Sequence, residues 1–397
     1  MSAAAHCLRV LVVTFGSLAA PRGGTQVRAR NAVDALRRLG HEVSAICVMR
    51  SLGGHDNASR PEEQAIGAAY AGEKRLRELV VVETPVVFGW SPRLAALARR
   101  MARGCDVVVV ENALLFGVTG SARRRSALVW DTNELQSLHY GRLPGTSGNR
   151  LRTAAWRAVE SWGSRLSDVA IAISDDEARW WEDLHPGLRG RVQVVEHRPV
   201  LSQQDGVHPW RPPGVPADDA VLVFVGNLGA KQNASAARWL GSVATRGLAP
   251  GMHLVLAGPG SGSIAVPAAA RSQVWCLDEV GDVDAVIAGA DLCLAPLAAG
   301  AGVKTKVLHY IAHGKPVLGT PSAFEGIHDA PGVTSLALEH LAAEMLPAVR
   351  AARADPGLAG RQRAWFEAHH APAVVDDQWR SVLESAVVAL RARSPER

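Results

Sequence analysis

Lysine is almost missing from this chain: of its 43 basic residues only five are lysines and 38 are arginines. Cysteine is as sparse. Cys7, Cys47, Cys105, Cys276 and Cys293 stand far apart and form no CxxC or Cys/His spacing, which excludes a disulfide framework and the usual structural zinc sites and predicts buried free thiols. Aromatic residues make up 5%, and no finger, RNP or helix-turn-helix signature accompanies the basic charge, so a nucleic-acid partner is not expected. No apolar run is long enough to span a bilayer, and Met1–Arg9 lacks a charged start followed by an apolar stretch and a cleavage site. The expectation is a soluble, cytoplasmic protein. A GxGxxG fingerprint is absent too, which argues against an NAD enzyme. Gly258-Pro-Gly260-Ser-Gly262 lacks the Lys-Ser/Thr ending of a P-loop and is read as a plain loop. No repeat of solenoid or propeller period is found.

What is present fits a globular protein of two domains: 397 residues, 48% hydrophobic and 20% charged. The charge is uneven. Residues 1–200 hold 27 Lys+Arg against 20 Asp+Glu, whereas residues 201–397 hold 16 against 18. The basic first half, densest at Arg123-Arg124-Arg125, suits a solvated face and would also allow peripheral contact with an anionic membrane surface or an acidic substrate.

Apolar runs and amphipathic stretches alternate from the start. Leu8–Phe15 reads as a strand, Thr25–Leu39 as a helix and Glu42–Val48 as a strand, which is a βαβ unit. Strands follow at Val107–Val110, Ala127–Trp130 and Val169–Ile173, with helices over Arg150–Arg165 and Asp175–Leu184. A second series runs through Val221–Val225, His253–Ala257, Gln273–Cys276, Leu292–Ala295 and Pro316–Gly319. Parallel strands need helical crossovers, so two α/β domains are expected. The proline-rich, aperiodic stretch Pro199–Pro216 reads as the linker. The predicted boundaries are 1–200, 201–375 and a final amphipathic helix over 376–397.

Two features carry chemistry. Gly23-Gly24, between the first strand and its helix, would let backbone N–H groups approach an anion at a helix N-terminus, although a tight turn explains it as well. Lysine placement says more: Lys231, Lys304, Lys306 and Lys315 sit near predicted strand-to-helix junctions. In so arginine-biased a chain, compact charges kept at such junctions point to phosphate, with solvated helix ends as the alternative.

Phe224-Val-Gly226-Asn-Leu-Gly-Ala-Lys231-Gln-Asn233, Leu254–Gly258, Leu294-Ala-Pro296 and Gly300-Ala-Gly302-Val303-Lys304-Thr305-Lys306-Val-Leu-His309 through Gly314-Lys-Pro316 resemble, in this order, the donor domain of retaining family-four (group 1) glycosyltransferases of the GT-B fold. The Gly23-Gly24 turn, Leu39-Gly-His41-Glu-Val, Asp131-Thr-Asn133-Glu134-Leu and Glu160 to Ser174-Asp-Asp-Glu177 resemble the same family's acceptor domain. The likeness spans roughly residues 8 to 330 and departs at four places. His309 stands where the family usually has a ribose-holding glutamate, and Ala301 where many members have another. Asn133 replaces a sugar-facing histidine, and Asp278 a glycine.

The resemblance implies two Rossmann-like domains facing each other across a cleft, with the last helix crossing back to the first domain. It implies a nucleoside-diphosphate sugar as donor and transfer to an acceptor hydroxyl on a small molecule, glycan or lipid-linked molecule, with retained configuration. By position, Lys231 and Lys306 would neutralise the departing diphosphate, with Asn133 and Glu134 beside the reacting sugar. Gly23, Gly24, Gly226, Asn233, Gly300, Gly302, Val303, Lys304, Thr305 and His309 would line the donor. No cofactor or metal is required by the fold. Asp282-Val-Asp284 spells a metal-binding DxD, but it opens a predicted helix and is read as its N-cap. The competing functions are a non-catalytic nucleotide-sugar binder supporting a partner enzyme, and a GT-B epimerase or phosphorylase.

Overall fold

The computed structural model describes residues 7–16, 18, 24–49, 76–83, 91–132, 134–143, 145–201, 207–298, 300 and 302–393. In chain order the first series is β1 (Arg9–Phe15), α1 (Gly24–Arg38), β2 (Glu42–Met49), β3 (Leu76–Glu83), α2 (Pro92–Met101), β4 (Val107–Val110), α3 (Phe116–Thr119), β5 (Ala127–Asp131), α4 (Gln136–Gly141), α5 (Ser147–Leu166), β6 (Val169–Ala172), α6 (Asp175–Leu184) and β7 (Val192–Val194). The second is β8 (Ala220–Val225), α7 (Lys231–Arg246), β9 (Met252–Ala257), β10 (Val274–Leu277), α8 (Val283–Ala288), β11 (Leu292–Ala295), α9 (Thr305–Ala312), β12 (Val317–Gly319), β13 (Val333–Ser335), α10 (Leu338–Arg353) and α11 (Leu358–His370). The chain's last helix is α12 (Pro372–Arg393).

These elements form two compact units, Met1–Arg198 with Pro372–Arg397, and Pro199–Ala371. The expected breaks were after residues 200 and 375. The helix extends N-terminally past the expected Asp376 to Pro372, a residue tolerated at the first helical position because its missing N–H would have no partner there.

The first unit holds a seven-stranded sheet of order β3-β2-β1-β4-β5-β6-β7, every adjacent pair parallel. β4 is buried along its whole length, as the run of four valines requires when helices cover both faces. Alternation divides β1 between two cores. Val10 and Val12 join α1 and Val375, Trp379, Val382, Leu383 and Ala386 of α12, whereas Leu11 and Val13 join α2, Phe116, Trp130 and Trp181.

The second unit holds a six-stranded parallel sheet of order β10-β9-β8-β11-β12-β13. Counted within the unit this is 3-2-1-4-5-6, the doubly wound order in which ligands bind beyond the carboxyl ends of the strands where the winding reverses. That reversal lies between β8 and β11.

Three details qualify the sequence reading. All five cysteines are free, with Cys47 and Cys293 buried and Cys105 and Cys276 partly so, but Cys7 is exposed, which corrects the expectation of burial there. Within the arginine run, Arg123 lies 3.6 Å from Asp168, which α12 also reaches through Arg393 at 2.8 Å, while Arg124 and Arg125 are exposed. Among the described residues no helix is long and apolar enough to cross a membrane.

Candidate active site

In the second unit the switch point gathers two helix N-termini. α7 begins directly at Lys231, and α9 follows Lys304; neither has a side-chain cap nor an acidic residue in its first turn. The first amides of both helices are thus left without capping side chains, and lysines add positive charge to the positive ends of the helix dipoles. This is unfavourable for the empty protein and favourable for an anion. The contrast lies in α8, where Asp282 accepts from the backbone N–H groups of Asp284 and Ala285 at 2.9 and 3.2 Å.

Lys306 joins the two helices. Its Nζ donates to Asn233 Oδ1 at 2.8 Å and stands 4.1 Å from the centre of the Phe224 ring. Burial first, and Lys304 second, push its ammonium down to about 7. Gly226 leaves room for it, since a Cβ there would lie 2.8 Å from Lys306 Nζ on a backbone with φ of +152°. Gly300, φ +136°, lies against Gln232 and Lys304 in the same way, and Gly302 has φ of 72°. Lys304 donates to the Gly302 carbonyl, and Lys231 is exposed at the mouth of α7. The structure therefore brings together Gly226, Lys231, Asn233, Gly300, Gly302, Val303, Lys304, Thr305 and Lys306 around one sheet end. Lys315 lies apart from this group. It donates to the Ala288 and Ala290 carbonyls at 2.6 and 3.0 Å, where it closes the end of α8.

His309 is already engaged within the protein. It is buried on α9, and its Nε2 meets Oδ1 of Asp284, the same oxygen that His313 Nε2 reaches at 3.0 Å. An imidazole held so offers a ribose hydroxyl only its other nitrogen. The two aspartates of Asp282-Val-Asp284 thus separate, one to the helix cap and one to the histidines. Asp278 accepts the Gly260 and Gly262 N–H groups at 2.7 and 3.3 Å. Two N–H groups of the glycine loop are thus taken up by the carboxylate that follows β10.

The first unit carries a different constellation at the carboxyl end of its sheet. Arg28 of α1 donates Nε to Asp131 at 2.7 Å and Nη1 to the Val195 carbonyl at 3.0 Å, with both side chains buried. Thr14 donates to Glu111, just beyond β4. Glu177 accepts the Ile173 N–H at 2.7 Å while Ser174 caps its helix. Burial dominates here, raising Glu111 and Asp131 above the ordinary carboxylate range and pushing Glu177 up to about 7. Glu134 is half-buried, 3.0 Å from His139 Nδ1 and 3.3 Å from Gln136 Nε2. Gly24 is the exposed first residue of α1. Gly23, Asn133 and Ala301 lie outside the described residues. Sequence reasoning missed Arg28, Glu111 and His313. The available signals were an arginine on the apolar face of α1, a glutamate ending a valine strand, and two histidines four apart.

Comparison with known proteins assigns a family to this architecture. The family model Glycosyltransferase Family 4 matches residues 22–197, and the model Glycosyl transferases group 1 matches residues 219–355. No curated protein matches the chain. Solved structures share the fold at low identity. Anabaena HepE in complex with UDP-glucose is 13% identical, with 95% of this chain and 100% of that one covered and a TM-score of 0.67. Sucrose-phosphate synthase from Thermosynechococcus elongatus is 15% identical over 96% and 100%, with a TM-score of 0.67. WaaG, a glycosyltransferase of lipopolysaccharide biosynthesis, is 16% identical over 94% and 99%, with a TM-score of 0.62. With one family model over each doubly wound unit, the chain belongs to the group 1, family 4 glycosyltransferases of the GT-B fold.

Proposed function

We infer that the protein takes a sugar from a nucleoside-diphosphate sugar and transfers it to an acceptor hydroxyl with retained configuration. The observation that carries this reading is Lys306, a half-buried lysine between two uncapped helix N-termini that, among the described residues, has no carboxylate as its hydrogen-bond partner. A diphosphate supplies the charge that such a site lacks. HepE, which shares the fold, was solved with UDP-glucose and with UDP.

In this reading the anomeric carbon–oxygen bond to the diphosphate breaks, and the acceptor oxygen bonds to that carbon on the same face. The hydroxyl proton passes to the departing phosphate oxygen. Little covalent work falls to the protein, whose task is to stabilise charge on the leaving group. Lys231 and Lys306 meet the phosphates, Asn233 holds Lys306 in place, and the backbone of Gly300, Gly302, Val303, Lys304 and Thr305 approaches the donor closely. Gly226 keeps the floor of the site open. Gly23, Gly24, Asn133 and Glu134 are assigned to the sugar side, and the arginine-rich face of the first unit to peripheral membrane contact. The reading includes residence in the cytoplasm.

Calorimetry with UDP, GDP, ADP and dTDP and their sugars tests the donor assignment. One nucleoside-diphosphate class is expected to bind, and its sugar to be slowly hydrolysed without acceptor. No binding at millimolar concentration would overturn the donor site. Binding with neither hydrolysis nor transfer would favour the non-catalytic reading suggested by the engaged His309.

A further inference from the structure

Asp284, His309 and His313 converge in a way that hydrogen bonding alone does not require. His309 and His313 are four residues apart, so their side chains leave one face of the helix a single turn apart. Their rings lie 5.4 Å apart, centre to centre, at 36°. Asp284 comes from the first turn of α8 and presents one carboxylate oxygen to both Nε2 atoms. The three ligand atoms lie within 4.8 Å of one another. The residues are secluded, Asp284 being 3% and His309 8% exposed. An ion about 2.0–2.2 Å from each donor needs donors roughly 3–3.5 Å apart. Asp284 Oδ1 stands 3.0 Å from His313 Nε2, whereas its contact with His309 Nε2 is closer than that spacing, so an entering ion has to part this pair by a rotation of one side chain.

We propose that Asp284, His309 and His313 form a binding site for one divalent transition-metal ion of the zinc class. Two imidazoles and one carboxylate are the donor set of a three-ligand site with an open position, and imidazole nitrogen selects such ions over magnesium or calcium, which take oxygen. A pair of histidines at i, i+4 on one helix face is a recurrent way to supply two ligands. The ion would tie the start of α8 to the last turn of α9, and so brace the helix whose first turn carries Lys306. Binding of the ion does not depend on the donor reading.

The test uses the full chain without a histidine tag, stripped with chelator. Cobalt(II) is titrated in and followed by its visible absorption, and zinc, magnesium and calcium are compared by thermal unfolding. One equivalent of cobalt or zinc is expected to bind, with ligand-field bands of low coordination number and a raised unfolding midpoint for zinc only. His313→Gln and Asp284→Asn should each weaken binding at least tenfold. Because Asp284→Asn could disturb α8, His313→Gln, whose metal-free unfolding midpoint should match the parent, carries the decision. Absence of binding, equal response to magnesium, or unchanged binding in His313→Gln would overturn the proposal and leave a hydrogen-bonded triad only.

Discussion

Lys306 illustrates a residue placed against its own stability. Its ammonium is desolvated, and Lys304 repels it, which together lower its pKa to about 7. In the unfolded chain the group would titrate near 10.5. The charged form therefore costs stability below about pH 7, and the cost fades as pH rises toward the unfolded value. Lys306→Met should keep or raise the thermal midpoint at pH 7 while losing the nucleotide. A bound diphosphate reverses the shift, so binding at pH 8 should take up a proton, and affinity should fall as pH rises above about 7. Calorimetry in buffers of different ionisation enthalpy checks both points, and an equal proton count in parent and Lys306→Met would remove Lys306 from the phosphate site. Lys231→Ala and Lys306→Ala should each slow transfer roughly 100- to 1,000-fold, the usual loss for one transition-state donor; near-parental turnover in either would exclude that lysine.

Glu177 has the opposite sign. Burial raises its carboxyl to about 7 against the pull of the Ile173 N–H and Arg28. A folded pKa above the unfolded 4.5 means that its contribution is present below pH 4.5 and is lost as pH rises through about 7. Glu177→Gln keeps an acceptor for Ile173 and cannot ionise. Urea unfolding should show it more stable than the parent at pH 8, by at most roughly 3 kcal/mol, with the difference shrinking at pH 5. A pH-independent difference would mean that Glu177 does not titrate in this window.

At the scale of elements, the sequence was most legible in the sheet interiors. β4 and β11 coincide with their expected ranges, Val107–Val110 and Leu292–Ala295, because strands buried on both faces are written as unbroken apolar runs. The strands that escaped notice, β3, β7 and β13, all lie at sheet edges. β7 and β13 have three residues each, too few for a pattern, and β3 carries Arg77 and Glu78 as edges often do. The site divides similarly. Lys231 and Lys306 were legible because lysine is rare here, and the missing caps before α7 and α9 are written in Ala230 and Lys304. The partner of His309 was not, since Asp284 is 25 residues away and only the folded chain brings the two side chains together. Gly226 carries a prediction at this scale. Gly226→Ala adds a Cβ 2.8 Å from Lys306 Nζ at a strained φ, so donor affinity should fall while the sheet survives; unchanged affinity would show that Lys306 can move aside freely.

The whole molecule is discontinuous in sequence. The first unit is completed by α12 from the far end of the chain. That helix contributes Val375, Trp379, Val382, Leu383 and Ala386 to the core under α1. It is tied in by Arg38–Asp376 at 2.7 Å, by Gln378 Oε1 accepting the Glu196 N–H at 2.8 Å and by Arg393–Asp168 at 2.8 Å. Trp379→Ala alone should cost about 3–5 kcal/mol, as for a large core aromatic. The second unit, Pro199–Ala371, is by contrast one uninterrupted segment with its own sheet and all of the switch-point lysines. Ending the chain after Ala371 should therefore remove the first unit's unfolding transition and leave the second's. The remaining transition should still move on adding the nucleoside diphosphate, by about 2.7 kcal/mol at one hundred times Kd. Transfer to an acceptor should vanish, because the residues assigned to the sugar side sit on the unit that has lost its core. A shortened chain that keeps full transfer would show that α12 is dispensable to the first unit. One that keeps the second unit's transition but no longer responds to nucleotide would show that the donor is not held mainly by the residues around Lys306.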